Sequence, residues 1–201
     1  MEVWLIRHGE TAWNAERRWQ GHRDIPLNHE GVRQAERLAA RLQGEAFDAV
    51  YASDLCRASD TARIALPNTH ILTTPEIREA DFGSWEGLRW DEVEAQSPDV
   101  LSQWLADPFG FHAPGGESFH TLMTRCNDWL TTLPRLDRIA VFTHGGPVRA
   151  MLHHVFGLPG ERTFAFTIGN TSITRLRLAA ECNWVLGIND ISHLALTEKS
   201  S

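Results

Sequence analysis

The chain has 201 residues, 42% of them apolar, and a formal net charge of -7. That length suffices for one domain with a full core, and no apolar run approaches the roughly 20 residues needed to cross a bilayer. The acidic balance, without a Lys/Arg cluster, argues against nucleic acid as a main partner, although a local cationic pocket can oppose the global field and hold an anion. No basic stretch followed by a long apolar run opens the chain, so a secretory signal is not expected. Cys56, Cys126 and Cys182 are odd in number and scattered. They fit a reducing cytoplasm better than a disulfide framework or a zinc ribbon.

In chain order, Val3-Trp4-Leu5-Ile6 has the length and branching of a buried strand and runs into Arg7-His8-Gly9. A polar, tryptophan-bearing loop from Gly9 to Pro26 follows. Asn28 is the predicted N-cap of a helix carrying Val32, Ala35, Leu38, Ala39 and Leu42 at helical spacing, ended by Gly44. Ala49–Ala52 reads as a short strand, after which Ser53-Asp54 can cap a helix with the apolar face Leu55, Ala58, Ala62 and Ala65. His70–Leu72 is a weaker strand signal. Residues 75–117 look irregular, with Trp85, Trp90 and Trp104 on short helices around the site. Phe119, Leu122, Met123, Cys126, Trp129, Leu130 and Leu133 mark an amphipathic helix. Ile139–Phe142 is a second buried strand, running into Thr143-His144-Gly145-Gly146. Pro147 then sits at a helix's first position, which tolerates proline, and Val148, Met151, Leu152 and Val155 continue the helix. Ser172–Leu178 and Trp184–Ile188 read as late strands. The alternation predicts a three-layer α/β/α sandwich with a mainly parallel central sheet, forming a single domain over 1–201.

Both buried strands end at a histidine followed by glycine. Ligands of open parallel sheets sit outside the carboxyl ends of the strands, so His8 and His144, about 136 residues apart, could meet over one site. Imidazole suits nucleophilic or acid–base work near neutral pH, and Arg7 beside His8 suggests an anionic substrate. Thr11, Trp13 and Asn14 lie in a loop too long for a simple turn. Gln20-Gly21 offers an amide and a backbone N–H to an oxyanion, or forms an ordinary polar turn. Arg57 falls in the first turn of its helix, where a cation is disfavoured unless an anion docks there. The alternative is a local ion pair with Asp54 or Asp60. Glu79, among aromatic residues, could serve as a general acid; Asp81 and Glu86 compete for that role, though each also reads as a turn or capping residue. Asp81-Phe82-Gly83 matches a kinase triplet, but neither a glycine-rich loop nor a His-Arg-Asp element accompanies it. The remaining histidines show no metal-ligand spacing and read as surface or packing residues.

Leu5-Ile6-Arg7-His8-Gly9-Glu10-Thr11 with Trp13-Asn14 resembles the signature of the histidine phosphatase superfamily, the phosphoglycerate mutase-like proteins. Ser53-Asp54-Leu55-Cys56-Arg57-Ala58 with Thr61-Ala62 resembles its second arginine motif, Glu79–Gly87 its acid-bearing segment, and Thr143-His144-Gly145-Gly146 its second histidine motif. The four stand in the family's order and span nearly the whole chain. The first alone is moderately specific, whereas the ordered set is highly so. The resemblance implies that His8 is the nucleophile, forming a phosphohistidine, and that Arg7, Arg57 and His144 hold the transferring phosphoryl group. It implies further hydrogen bonds from Asn14, Gln20, Gly21 and the Gly145 backbone. Glu79 would protonate the leaving oxygen and later activate water.

Those residue types suit phosphoryl transfer, which needs positioning and charge stabilisation above all, and guanidiniums clamp phosphate oxygens bidentately. Neither a metal nor a cofactor is expected, since the arginines and His144 supply the charge. The mutases of this family carry a longer insertion after the acid segment, with basic residues for a sugar acid. Here Leu88–Phe111 holds only Arg89 as a base against Asp91, Glu92, Glu94, Asp99 and Asp107, which favours a phosphatase. Pro114–Ser118 and the short acid segment look most like the α-ribazole phosphatase branch, which acts in cobalamin assembly, while Asn189–Leu194 also resembles broad-specificity members. The expected partner is a small phosphorylated metabolite, with neither nucleic acid nor membrane, and a homodimer stays open. Two other classes compete: a non-catalytic phosphate-binding module, which would be expected to have lost one of the reactive residues, and a metallohydrolase using both histidines and Glu79.

Overall fold

A computed structural model describes residues 1–159, 162 and 164–195. Its six-stranded sheet consists of β1 (Glu2–Arg7), β2 (Ala49–Ser53), β3 (Ile71–Thr74), β4 (Arg138–Thr143), β5 (Ile173–Arg177) and β6 (Trp184–Asp190), in the order β3-β2-β4-β1-β5-β6. The first four run parallel to one another; β5 and β6 are antiparallel additions beside β1. The expected mainly parallel sandwich is the observed architecture.

Side chains alternate across a strand, so a continuous apolar run is stable only when both faces are covered. Val3, Leu5, Ile139 and Val141 pack on one side against α6 (Phe119–Thr132) and α7 (Gly145–Phe156). Trp4, Ile6, Ala140 and Phe142 pack on the other against Leu38 and Leu42 of α2 (His29–Leu42) and Ala62 and Ala65 of α3 (Cys56–Ala65). Leu5 and Ile6 are wholly buried on opposite faces; truncating either to alanine should cost about 2–5 kcal/mol. A satellite cluster of Trp85, Val93, Leu101 and Ala113 links a 3₁₀ turn (Gly83–Trp85) with α4 (Trp90–Gln96) and α5 (Pro98–Ala106). Trp19 packs into it, 4.6 Å from Phe82 and 5.9 Å from Trp104 between ring centroids.

The register of β1 with β4 pairs Arg7 with Thr143 and so places His8 beside His144 at the carboxyl end of the sheet. The His8 N–H donates to the Thr143 carbonyl at 2.9 Å.

Three local expectations change. The Gly9–Pro26 loop contains a short helix, α1 (Ala12–Ala15), closed by a capping box between Thr11 and Asn14. Ser53-Asp54 does not cap α3: its N-cap is Leu55, and the Cys56 N–H is taken by Asp24 Oδ1 at 2.7 Å, because Asp54 is engaged through both carboxylate oxygens by Arg78. Pro147 is the third residue of α7 rather than the first, still within the turn whose N–H groups lack helical acceptors. Among the described residues no helix is long and apolar enough to cross a membrane.

Candidate active site

A cavity of about 260 Å³ opens at the carboxyl end of the sheet. Arg7, His8, Asn14, Gln20, Arg57, Glu79 and Gly146 line it with polar groups, and Trp19, Phe82, Trp104, Phe119, Leu122 and Phe164 give it apolar walls.

His8 is 2% exposed. Its Nδ1 lies 2.6 Å from the Gly9 carbonyl, an acceptor only, so the proton resides on Nδ1 and the Nε2 lone pair is free. The Gly9 N–H in turn donates to Thr61 Oγ1 at 2.9 Å, fixing this turn to α3. The His144 ring lies 5.1 Å from the His8 ring. His144 Nδ1 accepts from Arg57 Nε at 3.2 Å, which puts its own proton on Nε2. Burial, followed by the positive charge of Arg57, holds both imidazoles well below the ordinary histidine pKa.

Arg57 is completely buried. Beyond His144, it donates to the carbonyls of Arg23 and Gly21, each at 2.7 Å. The local ion-pair alternative does not hold, because Asp54 is occupied by Arg78 and Asp60 by Arg63. Arg7 donates through Nη1 to the Ile168 carbonyl at 2.7 Å, and burial pushes its pKa down to about 10. Two buried donors, Arg7 Nε and His144 Nε2, have no hydrogen-bond partner among the described residues. Leaving such a group unpaired costs about 1–3 kcal/mol, a penalty that a bound anion would lift.

Glu79 projects from a segment held in place by tertiary anchors. Thr143 Oγ1 donates to the Ile77 carbonyl at 2.7 Å, and Arg125 and His22 reach the Glu79 carbonyl at 2.9 and 3.0 Å. Its carboxylate accepts the Gly146 N–H, 3.0 Å from Oε1, at the amino end of α7. A Cβ on Gly146 would stand 2.1 Å from that oxygen, so only glycine admits this approach. Asp81 and Glu86 do not line the cavity. Asp81 accepts from the Gly83 N–H at 2.8 Å and Glu86 from the His22 N–H at 2.6 Å, both as loop braces.

The sequence-predicted residues thus gather around one cavity, with three changes of detail: His144 does not itself line it but lies with its ring 5.1 Å from that of His8. The group that Gly21 offers the site is its carbonyl, which holds Arg57, and Gly21 does not itself line the cavity. At the start of α7 the cavity-lining residue is Gly146 rather than Gly145, its N–H already engaged by Glu79. Sequence reasoning missed Arg149, one helical turn beyond Gly145 on the same face, which lines the cavity. It also missed Asn170, whose Nδ2 donates to the His8 carbonyl at 3.1 Å and to Asn14 Oδ1 at 3.3 Å. The i to i+4 spacing would have found the first; nothing local marks the second. Among the described residues no group of three or more His, Cys, Asp or Glu side chains is placed to hold a metal ion.

Residues 3–191 match the model of the histidine phosphatase superfamily (branch 1). The chain is 37% identical over 208 residues to phosphoglycerate mutase-like protein 4 of Arabidopsis thaliana, covering 98% of this chain and 88% of that one. It is 34% identical to a metal-independent phosphoserine phosphatase of the same plant, covering 96% and 83%. The crystal structure of an α-ribazole phosphatase from Shigella flexneri superposes with a TM-score of 0.88 at 27% identity, over 95% of this chain and 97% of that one. The chain belongs to the histidine phosphatase superfamily. It is an enzyme of the phosphoric monoester hydrolase kind, in a superfamily that also holds the related phosphoglycerate mutases.

Proposed function

We propose that this protein hydrolyses a small phosphate monoester through a phosphohistidine at His8. The observation that carries this reading is the free His8 Nε2 lone pair at a cavity that Arg7 also lines, with the His144 ring 5.1 Å from that of His8 and two buried donors, Arg7 Nε and His144 Nε2, that have no partner among the described residues. His8 Nε2 attacks phosphorus as the bond to the leaving oxygen breaks. Arg7, Arg57 and the His144 N–H stabilise the charge on the equatorial oxygens, and Glu79 gives its proton to the leaving oxygen. Water then attacks the phosphohistidine, Glu79 takes the proton back, the N–P bond breaks and inorganic phosphate leaves. Asn14 and Gln20, on the cavity wall, add hydrogen bonds; Gly21 acts through Arg57, and the Gly145-Gly146 amino end of α7 fixes Glu79.

For the leaving group, α-ribazole 5'-phosphate is the first candidate. It is supported by the aromatic walls of the cavity, which suit a flat heterocycle, and by the likeness to the Shigella enzyme. Arg149 favours a second candidate, phosphoserine, since it lines the cavity and forms no ion pair among the described residues, leaving its guanidinium to meet a carboxylate. The test is a panel of α-ribazole 5'-phosphate, phosphoserine, 3-phosphoglycerate and simple alkyl phosphates, scored by kcat/KM, beside a labelling experiment on His8→Ala. The parent should form an acid-labile, alkali-stable phosphoenzyme mapping to His8, and the variant none. Substantial turnover by a correctly folded His8→Ala protein would falsify the assignment.

A further inference from the structure

We infer that His193 is a positioning residue for the nucleophile, acting through Thr171; this rests on the reading of His8 as the phosphoryl acceptor. The His8 carbonyl receives two donors from one short segment: the Thr171 N–H at 3.2 Å and Asn170 Nδ2 at 3.1 Å. Because His8 Nδ1–H is itself bound to the next carbonyl, that of Gly9, the pose of the 8–9 backbone sets the aim of Nε2. Whatever fixes residues 170 and 171 therefore fixes the nucleophile.

Thr171 is fully buried and its φ is +52°, in the left-handed region that a β-branched residue avoids. Such a conformation persists only where the surroundings over-determine it, and it clusters at working sites. Here it turns the Thr171 N–H toward His8 while the following Ser172 carbonyl takes the Arg7 N–H at 3.2 Å. Among the described residues the Thr171 hydroxyl has one partner, His193 Nε2 at 3.0 Å.

His193 comes from a 3₁₀ turn (Ser192–Leu194) packed against α2, so it belongs to the scaffold rather than to the site. It is 2% exposed, and among the described residues its buried Nδ1 has no partner. A histidine buried with half its polar capacity unused is a poor choice for mere packing, where an apolar side chain would serve. Its one side-chain bond among the described residues goes to the residue that holds the nucleophile's carbonyl. Burial depresses its pKa.

The test uses the full chain with 4-nitrophenyl phosphate, measured by steady-state and single-turnover kinetics for His193→Ala, His193→Gln, Thr171→Val and Thr171→Ser. Misaiming a nucleophile by a fraction of an ångström should slow phosphoenzyme formation at least about tenfold. His193→Ala and Thr171→Val should show that loss in kcat and in the phosphorylation step, with KM within about twofold, because the phosphate-binding groups are untouched. Thr171→Ser, which keeps the hydroxyl, and His193→Gln, which can reach it, should recover most of the rate. If His193→Ala does not fold, the isosteric Thr171→Val decides. Phosphorylation at the parental rate by folded His193→Ala or Thr171→Val, whatever the change in Tm, overturns the inference. The same assay on His8→Ala separates the two claims: phosphoenzyme formed without His8 sinks the nucleophile reading itself.

Discussion

Two neutral histidines buried at the centre of the fold should make the protein measurably acid-sensitive well above the carboxylate range. His8 and His144 are 2% and 0% exposed, and burial together with Arg57 and Arg7 holds both far below the value near 6.5 that they regain on unfolding. Below that value the unfolded chain binds protons that the folded one refuses. The stability is therefore fully present above about pH 6.5 and drains away as pH falls toward the depressed folded values. At about pH 5.5, one unit below the unfolded value, the two imidazoles together cost up to about 3 kcal/mol. For a chain of this size that corresponds to a Tm lower by roughly 5–10 °C. Asp54 and Asp190, whose pKa values are lowered, act only at more acid pH. The assay is urea unfolding in phosphate-free buffer at about pH 7.5 and pH 5.5, since a bound anion would offset the charge. A His8→Asn/His144→Gln double variant should lose most of the difference, keeping the smaller part due to His193, whose pKa is also depressed. Equal parental stability at the two pH values, or an undiminished fall in the double variant, would refute the reasoning.

Arg57→Lys removes a fork that serves His144, Gly21 and Arg23 at once. A single ammonium cannot replace it, and kcat should fall by about 100-fold, or ~3 kcal/mol, in steady-state assays. Parental kinetics would remove Arg57 from the site. Glu79→Gln should slow alkyl phosphates far more than nitrophenyl phosphate, because only a poor leaving group needs the proton. An equal loss on both, with the split appearing in Asp81→Asn or Glu86→Gln, would move the acid's role to that residue. Gly146→Ala should push the Glu79 carboxyl aside, given the 2.1 Å approach to Oε1, and reproduce the Glu79→Gln pattern with little change in Tm. An unchanged leaving-group dependence would show that the Gly146 N–H does not place the acid.

What the sequence made legible was whatever is periodic or terminal. The runs Val3–Ile6 and Ile139–Phe142, each ending in His-Gly, gave both central strands and the site between them, and Asn28 marked the start of α2 where it lies. α1 escaped because four residues carry no period; it is held by a reciprocal cap. The cap of α3 escaped because the acceptor of its Cys56 N–H, Asp24, lies 32 residues upstream. Arg57 was ambiguous between an anion and its near carboxylates until those proved to hold Arg78 and Arg63. Nor could apolar pattern tell that β5 and β6 reverse direction, since alternation has no polarity along the chain. Arg149 was within reach of the i to i+4 spacing from Gly145, whereas Asn170 and Thr171 join the site through tertiary folding, beyond any local signal that their neighbours carry.

The strand that leads into His8 is the first of the sheet to be made and among the last to be paired. β1 sits in the middle of the sheet, yet its two neighbours come from residues 138–143 and 173–177. A chain emerging from the ribosome must therefore keep four consecutive large apolar residues, Val3 to Ile6, in waiting until most of the polypeptide exists. Pairings so distant in sequence close slowly, and a bare central strand is a surface on which other chains can pair. Nascent chains stopped short of Ile173 should accordingly stay protease-sensitive near the N-terminus and bind chaperones, with protection appearing only once β5 is out. Assembly of the nucleophile's platform is thus the late step of folding, so that the apparatus for phosphoryl transfer arises together with the finished sheet.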